Sequence, residues 1–360
     1  MSGEHRTTRV AIDGEKFTIN GEYTYKGAKF EGKSIEGLLL NSRMIQGLFD
    51  DENPETRDWW AFPDTGEWDP ERNVKEFIEA MPVWYEKGLR AVTLNLQCGN
   101  PAGYSPHHPQ IVSAYHEDGS LKEDWLDRLE CVLNAADELG MVIILGLFYQ
   151  GQDDRLGDED AVVQGVRNVV EWLHEKEYRN VLIEINNECN ATPSEEFNWG
   201  YQQANLKPGR VHELIDLVND MDRDGHSYPV STSFTGGTVP TDNVIAAADF
   251  VLVHGNGVDN PRNIGKLVED VRSQPSYEPM PIVFNEDDHF DFYNYPNNML
   301  TALSSGASWG FYDPGRNNYQ DGYQSPPVNW GINTERKQEF FDYLEYIVYD
   351  SPGPSVDPAE

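Results

Sequence analysis

Eight short apolar runs, each followed by a helix-length amphipathic segment, constrain this chain more than any other feature. The runs lie at residues 34–41 (SIEGLLLN), 91–97 (AVTLNLQ), 141–148 (MVIILGLF), 181–186 (VLIEIN), 229–234 (PVSTSF), 250–255 (FVLVHG), 281–286 (PIVFNE) and 307–313 (ASWGFYD). Helices are expected at 70–87, 123–139, 160–177, 208–221, 243–248, 263–272, 296–304 and 335–348. Such alternation implies parallel strands joined by crossover helices. Eight units of this kind close a (β/α)8 TIM barrel, an α/β fold that uses nearly all of 360 residues. An open doubly wound sheet is the alternative, but no glycine-rich phosphate loop follows the first run. Ahead of the barrel, residues 1–33 alternate and turn at Asp13-Gly14 and Asn20-Gly21, the signals of a β-hairpin cap. The barrel is expected over 34–350, and the tail 351–360 reads as disordered.

The charge is the unusual part of the composition. Sixty-two acidic residues against 27 basic ones give −35 at pH 7, spread along the whole chain and often at helical surface positions such as Glu123, Asp124 and Asp127. A charge of this size repels phosphates, so nucleic acid is not an expected partner. A solvated acidic shell suits a medium where salt screens its self-repulsion, and a halophilic protein is expected. No apolar run reaches membrane-spanning length. The N-terminal MSGEHRTTRV has no apolar h-region, so the cytoplasm is the expected location, a trimmed leader aside. Cys98, Cys131 and Cys189 are odd in number and lack metal-type spacing, which argues against a disulfide framework. Oligomeric state leaves no mark in the sequence.

Two of the runs share an ending. Val181, Leu182, Ile183 and Ile185 lead into Asn186, Asn187 and Glu188, and Ile282, Val283 and Phe284 lead into Asn285 and Glu286. By the strand count these are strands 4 and 7. The C-terminal ends of barrel strands are where such folds place their chemistry. Two carboxylates on one rim, with pKa values pushed apart by burial and hydrogen bonding, meet the needs of glycosidic bond cleavage.

At these residues the chain resembles the clan A glycoside hydrolases, the retaining 4/7 barrels that include the family 5 cellulases and mannanases. The resemblance implies that Asn187-Glu188 is the pair carrying the acid/base, that Glu286 is the nucleophile, and that Asn187 binds the sugar 2-hydroxyl. His254 stands where family 5 has a histidine after strand 6, and Trp309 matches the tryptophan after strand 8 that floors the sugar ring. Three positions depart from that pattern. Asn256 replaces the tyrosine that orients the nucleophile, leaving Tyr312 or His289 for the task. Asn95 and Gln97 end strand 2 without an arginine, and Tyr149-Gln150 replaces a histidine after strand 3. The implied activity is hydrolysis of O-glycosidic bonds in an oligo- or polysaccharide by double displacement, with no cofactor.

Other readings of these residues stay open. Trp309 serves equally as core, and His254 as a satisfied core histidine. Asn41 and Arg43 are a sugar clamp at the pocket floor or an ordinary buried pair. Asn95, Gln97 and Asn100 are more polar than a strand end requires and are taken as substrate contacts, together with Tyr149. Trp59 and Trp60 are a sugar platform or packing under a long loop. Asp287, Asp288 and His289 have metal-ligand chemistry, but three consecutive residues are not expected to face one ion, so no metal is assigned. A carbohydrate-binding barrel without turnover and, further off, a metal-dependent hydrolase are the alternatives to the glycosidase.

Overall fold

The computed structural model describes residues 6–99, 101–102, 109–192, 200–315, 319 and 321–350. The tail at 351–360 and Asn100 lie outside the described residues. Eight barrel strands follow in chain order: β1 (Asn41–Arg43), β2 (Ala91–Asn95), β3 (Val142–Phe148), β4 (Val181–Asn186), β5 (Val230–Ser231), β6 (Val251–His254), β7 (Ile282–Glu286) and β8 (Gly310–Phe311). The helices between them are α1 (Pro70–Glu86), α2 (Glu123–Leu139), α3 (Glu159–Glu175), α4 (His212–Asn219), α5 (Asp242–Ala247), α6 (Pro261–Arg272), α7 (Asn298–Ser304) and α8 (Glu335–Glu345).

Parallel ladders run from β5 through β4, β3, β2 and β1 to β8, and a second ladder joins β6 to β7. Bridges between Val283 and Ser308 and between Asp287 and Phe311 tie β7 to β8. A bond from Asp249 N to Val230 O, 3.0 Å long, links β5 to the start of β6 and completes the circuit. Local chemistry starts the helices where the sequence signals them. Asp69 and Asn260 cap α1 and α6 ahead of a proline at the first turn, while Asp158, Asn297 and Thr334 cap α3, α7 and α8.

Strand alternation sorts side chains into two cores. The outward set packs under the helices. The inward set fills the lower barrel with Leu39, Ala91, Val142, Ile144, Leu182, Phe250, Leu252 and Val283. The antiparallel strands Val10–Asp13 and Lys16–Ile19 plug that end, with Val10 and Phe17 entering the same cluster and Phe17 meeting Phe250 edge-on at 6.2 Å. A shorter hairpin, Lys29–Phe30 with Lys33–Ser34, follows. The sequence placed a first strand at 34–41. Its early residues belong to this hairpin and a turn at Gly37 (φ +86°), and the ladder starts only at Asn41. β5 is also shorter than expected, because Thr232 and Ser233 bond the end of β4 instead of extending the ladder. Helix α4 starts at His212, after a turn at 208–211. Among the described residues no helix is long and apolar enough to cross a membrane, and the three cysteines are free.

One buried lysine ties α8 to the loop before it. Lys337 donates to Asn329 O (2.7 Å) and Asn333 Oδ1 (2.9 Å) and lies 4.1 Å from the Tyr323 ring centre. Burial pulls its pKa down to about 7 from the ordinary 10.5. The fold therefore favours the neutral amine, and the unfolded chain binds one more proton between those two values. Stability from this group is complete above pH 10.5 and lost as pH falls towards 7. Denaturant melts across pH 7–10.5 should show unfolding free energy rising with pH in the wild type and a flatter slope in Lys337→Met; equal slopes would refute this account.

Candidate active site

Glu188 and Glu286 come together. One carboxylate oxygen from each and a ring nitrogen of His254 all lie within 4.8 Å of one another. The histidine stands between the acids: its Nδ1 is 3.1 Å from Glu188 Oε1 and 3.6 Å from Glu286 Oε2. Burial works against the imidazolium. The carboxylates of Glu286 and Glu188 outweigh it, so the His254 pKa lies above the usual histidine value.

The two glutamates are held differently. Glu286 ends β7, and its side chain is 9% exposed. Arg43 reaches it from the end of β1, with Nε 2.6 Å from Oε2, and Asn256 donates its amide to Oε1 at 2.5 Å. Glu188 sits in the turn after β4 with φ +47°, a left-handed conformation that costs a residue with a Cβ about 1 kcal/mol. Strand β5 imposes it: Glu188 N donates to Ser233 Oγ and Cys189 N to Ser233 O, both 2.9 Å. The Thr232 hydroxyl meanwhile bonds Asn186 O and Oδ1 at 2.9 and 2.7 Å. The Glu188 side chain is 17% exposed, the wetter of the pair.

Asn187 lies between Arg43 and a second layer of polar groups. Its Oδ1 accepts from Arg43 Nη2 (2.9 Å), its Nδ2 donates to Gln150 Oε1 (3.2 Å), and its carbonyl accepts from Tyr201 OH (2.5 Å). Arg43 thus bridges the two Asn-Glu strand ends. Tyr149 and Tyr312, each 5% exposed, lie near Arg43.

Several expected site residues take other roles. Trp309 is fully buried with its ring 6.0 Å from Phe292 and 6.1 Å from Phe340 of α8, and its indole donates to Asp287 Oδ2 at 2.9 Å. It points out of the barrel and offers no ring face to a sugar. His289 does not orient Glu286: its Nδ1 bonds Asp287 Oδ1 at 2.8 Å, and Nε2 reaches Asp259 at 3.4 Å. Those carboxylates, Asp287 foremost, raise its pKa to about 9. Gln97 is a structural pin, donating to Ser113 Oγ and Gln152 O, both 3.1 Å, and accepting from Tyr149 N at 3.0 Å. Asn41 and Asn95 are fully buried in the barrel interior, below the reach of a substrate. Trp60 is buried with its indole on Asp51 Oδ2 (2.8 Å), whereas Trp59 is 55% exposed.

Sequence reasoning missed Gln150 as a partner of Asn187, along with Tyr201, Ser233 and the buried acid Glu184. Only Glu184 left a signal, an acid at an inward position of an otherwise apolar strand. The side chains of Asp287, Asp288 and His289 do converge, with ligand atoms within 4.8 Å, contrary to the expectation for consecutive residues. Asp287 is nevertheless taken up by donors from Trp309, Asn298 and His289. At the Glu188–His254–Glu286 group, Arg43 already supplies the positive charge beside Glu286.

No family model matches the chain, and no curated protein matches it in sequence. Solved structures do resemble it. An endo-1,4-β-mannanase from Rhizomucor miehei superposes with a TM-score of 0.53 at 13% identity, covering 84% of this chain and 89% of its own. A broad-specificity GH5-4 endoglucanase from Clostridium longisporum gives 0.56 at 10% identity, covering 88% and 97%. The enzyme ZgEngAGH5_4, solved with a cellotriose, gives 0.53 at 13%, covering 86% and 96%. The chain shares their fold. At these identities the likeness establishes the (β/α)8 barrel, and the chemistry rests on the site.

The position of His254 between two acids is open to a direct check. Glu286→Gln and Glu188→Gln each remove one opposing charge, so the His254 midpoint should fall in both variants as burial gains the upper hand. Ring-nitrogen NMR titration reads it; a midpoint unmoved in both variants would mean the imidazole is not held by the pair.

Proposed function

We propose that the chain is a retaining glycoside hydrolase acting on a β-1,4-linked glucan or mannan. The observation that carries this reading is the pair of carboxylates at the ends of β4 and β7, with oxygens closer than 4.8 Å and a histidine shared between them. Retaining enzymes keep their two carboxyl groups about 5–5.5 Å apart, whereas inverting ones hold them roughly 6.5–9.5 Å apart to admit a water. The closeness here favours direct attack. The substrate class is supported by structural neighbours named as an endo-1,4-β-mannanase and an endoglucanase and by one solved with a cellotriose.

Glu286 is the nucleophile in this reading. Arg43 and Asn256 fix the direction of its carboxylate, one on each oxygen. Glu188, the more exposed acid, protonates the leaving oxygen as Glu286 bonds the anomeric carbon. It then takes a proton from the water that cleaves the glycosyl ester. His254 holds the two carboxylates together while charge passes between them. Asn187, fixed by Arg43 and Gln150, is placed to meet the sugar 2-hydroxyl. The departures that favoured a binding barrel without turnover have substitutes, because Arg43 from β1 replaces an arginine on β2 and Asn256 occupies the place of the orienting tyrosine.

The reading is tested with a 2-deoxy-2-fluoro glycoside of cellobiose or mannobiose that carries a good leaving group. Mass spectrometry should find the sugar on the peptide containing Glu286. Glu188→Ala should lose about 100- to 10,000-fold in turnover of substrates with poor leaving groups, with azide restoring part of the rate on activated ones. Full turnover in both Glu188→Ala and Glu286→Ala would end the proposal.

We propose also that the acidic surface adapts the protein to high salt. Its net charge of −35 is spread over exposed helical positions such as Glu123, Asp124 and Asp127, where screening relieves repulsion. The melting temperature should rise steeply between dilute buffer and molar KCl; a flat response would remove the argument.

A further inference from the structure

Barrel interiors of this class are filled by layers of four side chains drawn from alternate strands, mostly branched aliphatic. The lower half of this barrel obeys that rule. Above it, beneath the carboxylate pair, the pattern breaks. Asn41, Thr93, Asn95, Glu184, Ser231 and Asn285 are each at most 1% exposed. Their parity with Leu39, Ala91, Leu182 and Val283 turns them inward. The ladders set Asn95, Gly146, Glu184 and Ser231 on one rung and Gly310 beside Asn41. Two glycines make the room: a Cβ on Gly146 would overlap the Asn95 amide, and one on Gly310 would overlap that of Asn41.

The orientation of two of these amides is fixed by what their nitrogens do. Asn41 Nδ2 donates to Leu39 O and Phe284 O, both at 3.1 Å, and Asn285 Nδ2 donates to Glu184 Oε2 at 3.1 Å. Each Oδ1 is left without a donor, as are Thr93 Oγ1 and Ser231 Oγ, and the Asn95 amide has no partner at either Oδ1 or Nδ2. Glu184 Oε1 completes no hydrogen bond either. Unpaired buried oxygens in such number need a partner that donates to them or coordinates them. The chemistry of the set, all hard oxygens with one carboxylate and no sulfur, is that of a hard cation. The charged groups facing Glu184 are Arg43, His254 and Glu286, and the repulsion from Arg43 disfavours a divalent ion.

We propose that the barrel interior binds a monovalent cation, Na+ or K+, held by Glu184 with the side-chain oxygens of Asn41, Thr93, Ser231 and Asn285. The ion neutralises a carboxylate one level below Arg43 and leaves that arginine free for Glu286. The site does not depend on the glycosidase reading, because its readout is ion binding.

The test separates this site from general screening by the acidic surface. Wild type, Glu184→Gln and Thr93→Val are melted in KCl, NaCl and N-methylglucamine chloride at equal concentration. The wild type should melt several degrees higher in K+ or Na+ than in the bulky cation, with a saturable dependence. Glu184→Gln should lose that increment while keeping the response common to all three salts, and Thr93→Val should need more cation for half its effect. Crystals grown in RbCl should show an anomalous peak inside the barrel beside Glu184. Equal wild-type melting in all three salts, an increment kept by Glu184→Gln, or a barrel interior without rubidium would each overturn the proposal. Should Glu184→Gln fail to fold, Thr93→Val and the rubidium crystals decide.

Discussion

The ion pair between Arg43 and Glu286 is the contact on which the upper half of the barrel depends. An arginine side chain 1% exposed and a glutamate side chain 9% exposed have both left water, and desolvation of each charge costs several kcal/mol. Such a pair persists only with help from other polar groups, and here that help comes from separate strands. Asn187 after β4 takes Arg43 Nη2, Asn256 after β6 takes the second Glu286 oxygen, and His254 closes on the first. The charges thus lock the tops of β1, β4, β6 and β7 to one another. The same contacts present fixed donors to the Glu286 carboxylate that need no reorganisation when charge moves.

This arrangement requires stability from elsewhere. The apolar lower barrel, closed by Val10 and Phe17, supplies part of it. The aromatic packing of Phe77, Trp84, Tyr323 and Trp330 between α1 and the loop before α8 supplies more, with ring centres 4.8–6.5 Å apart. Neither group touches the carboxylates. The left-handed φ at Glu188 is held in the same way, by two backbone N–H groups donating to Ser233 just past β5.

Much of the fold was legible because alternating periodicities leave a strong mark: the eight strands and eight helices fall near their expected places. The meeting of Glu188 and Glu286 was legible because strand count alone puts both on one rim. What failed depended on strand parity or on a lateral neighbour. Trp309 was misread because β8 runs as Ser-Trp-Gly-Phe, and only the ladder shows that Gly310, not Trp309, faces inward beside Asn41. Glu184 was hidden because VLIEIN was read as one apolar run, when its inward members are Leu182, Glu184 and Asn186. The target of Arg43 could not be read at all, since Glu286 is 243 positions away and becomes its neighbour only when β8 closes onto β1.

These misreadings share a physical cause. In a barrel buried on both faces, the outward side chains are apolar whatever the interior holds, so hydropathy averages over the two faces and conceals a polar lumen. Taking every second residue of each strand separates them: Leu39-Asn41-Arg43, Ala91-Thr93-Asn95, Leu182-Glu184-Asn186 and Val283-Asn285 each pass from apolar to polar towards the same rim. That shared direction puts the apolar end at the hairpin plug and the polar end at the carboxylates. The gradient follows from the geometry at the top: donors that fix the Glu286 carboxylate need polar support beneath them, and the apolar packing begins only below that layer.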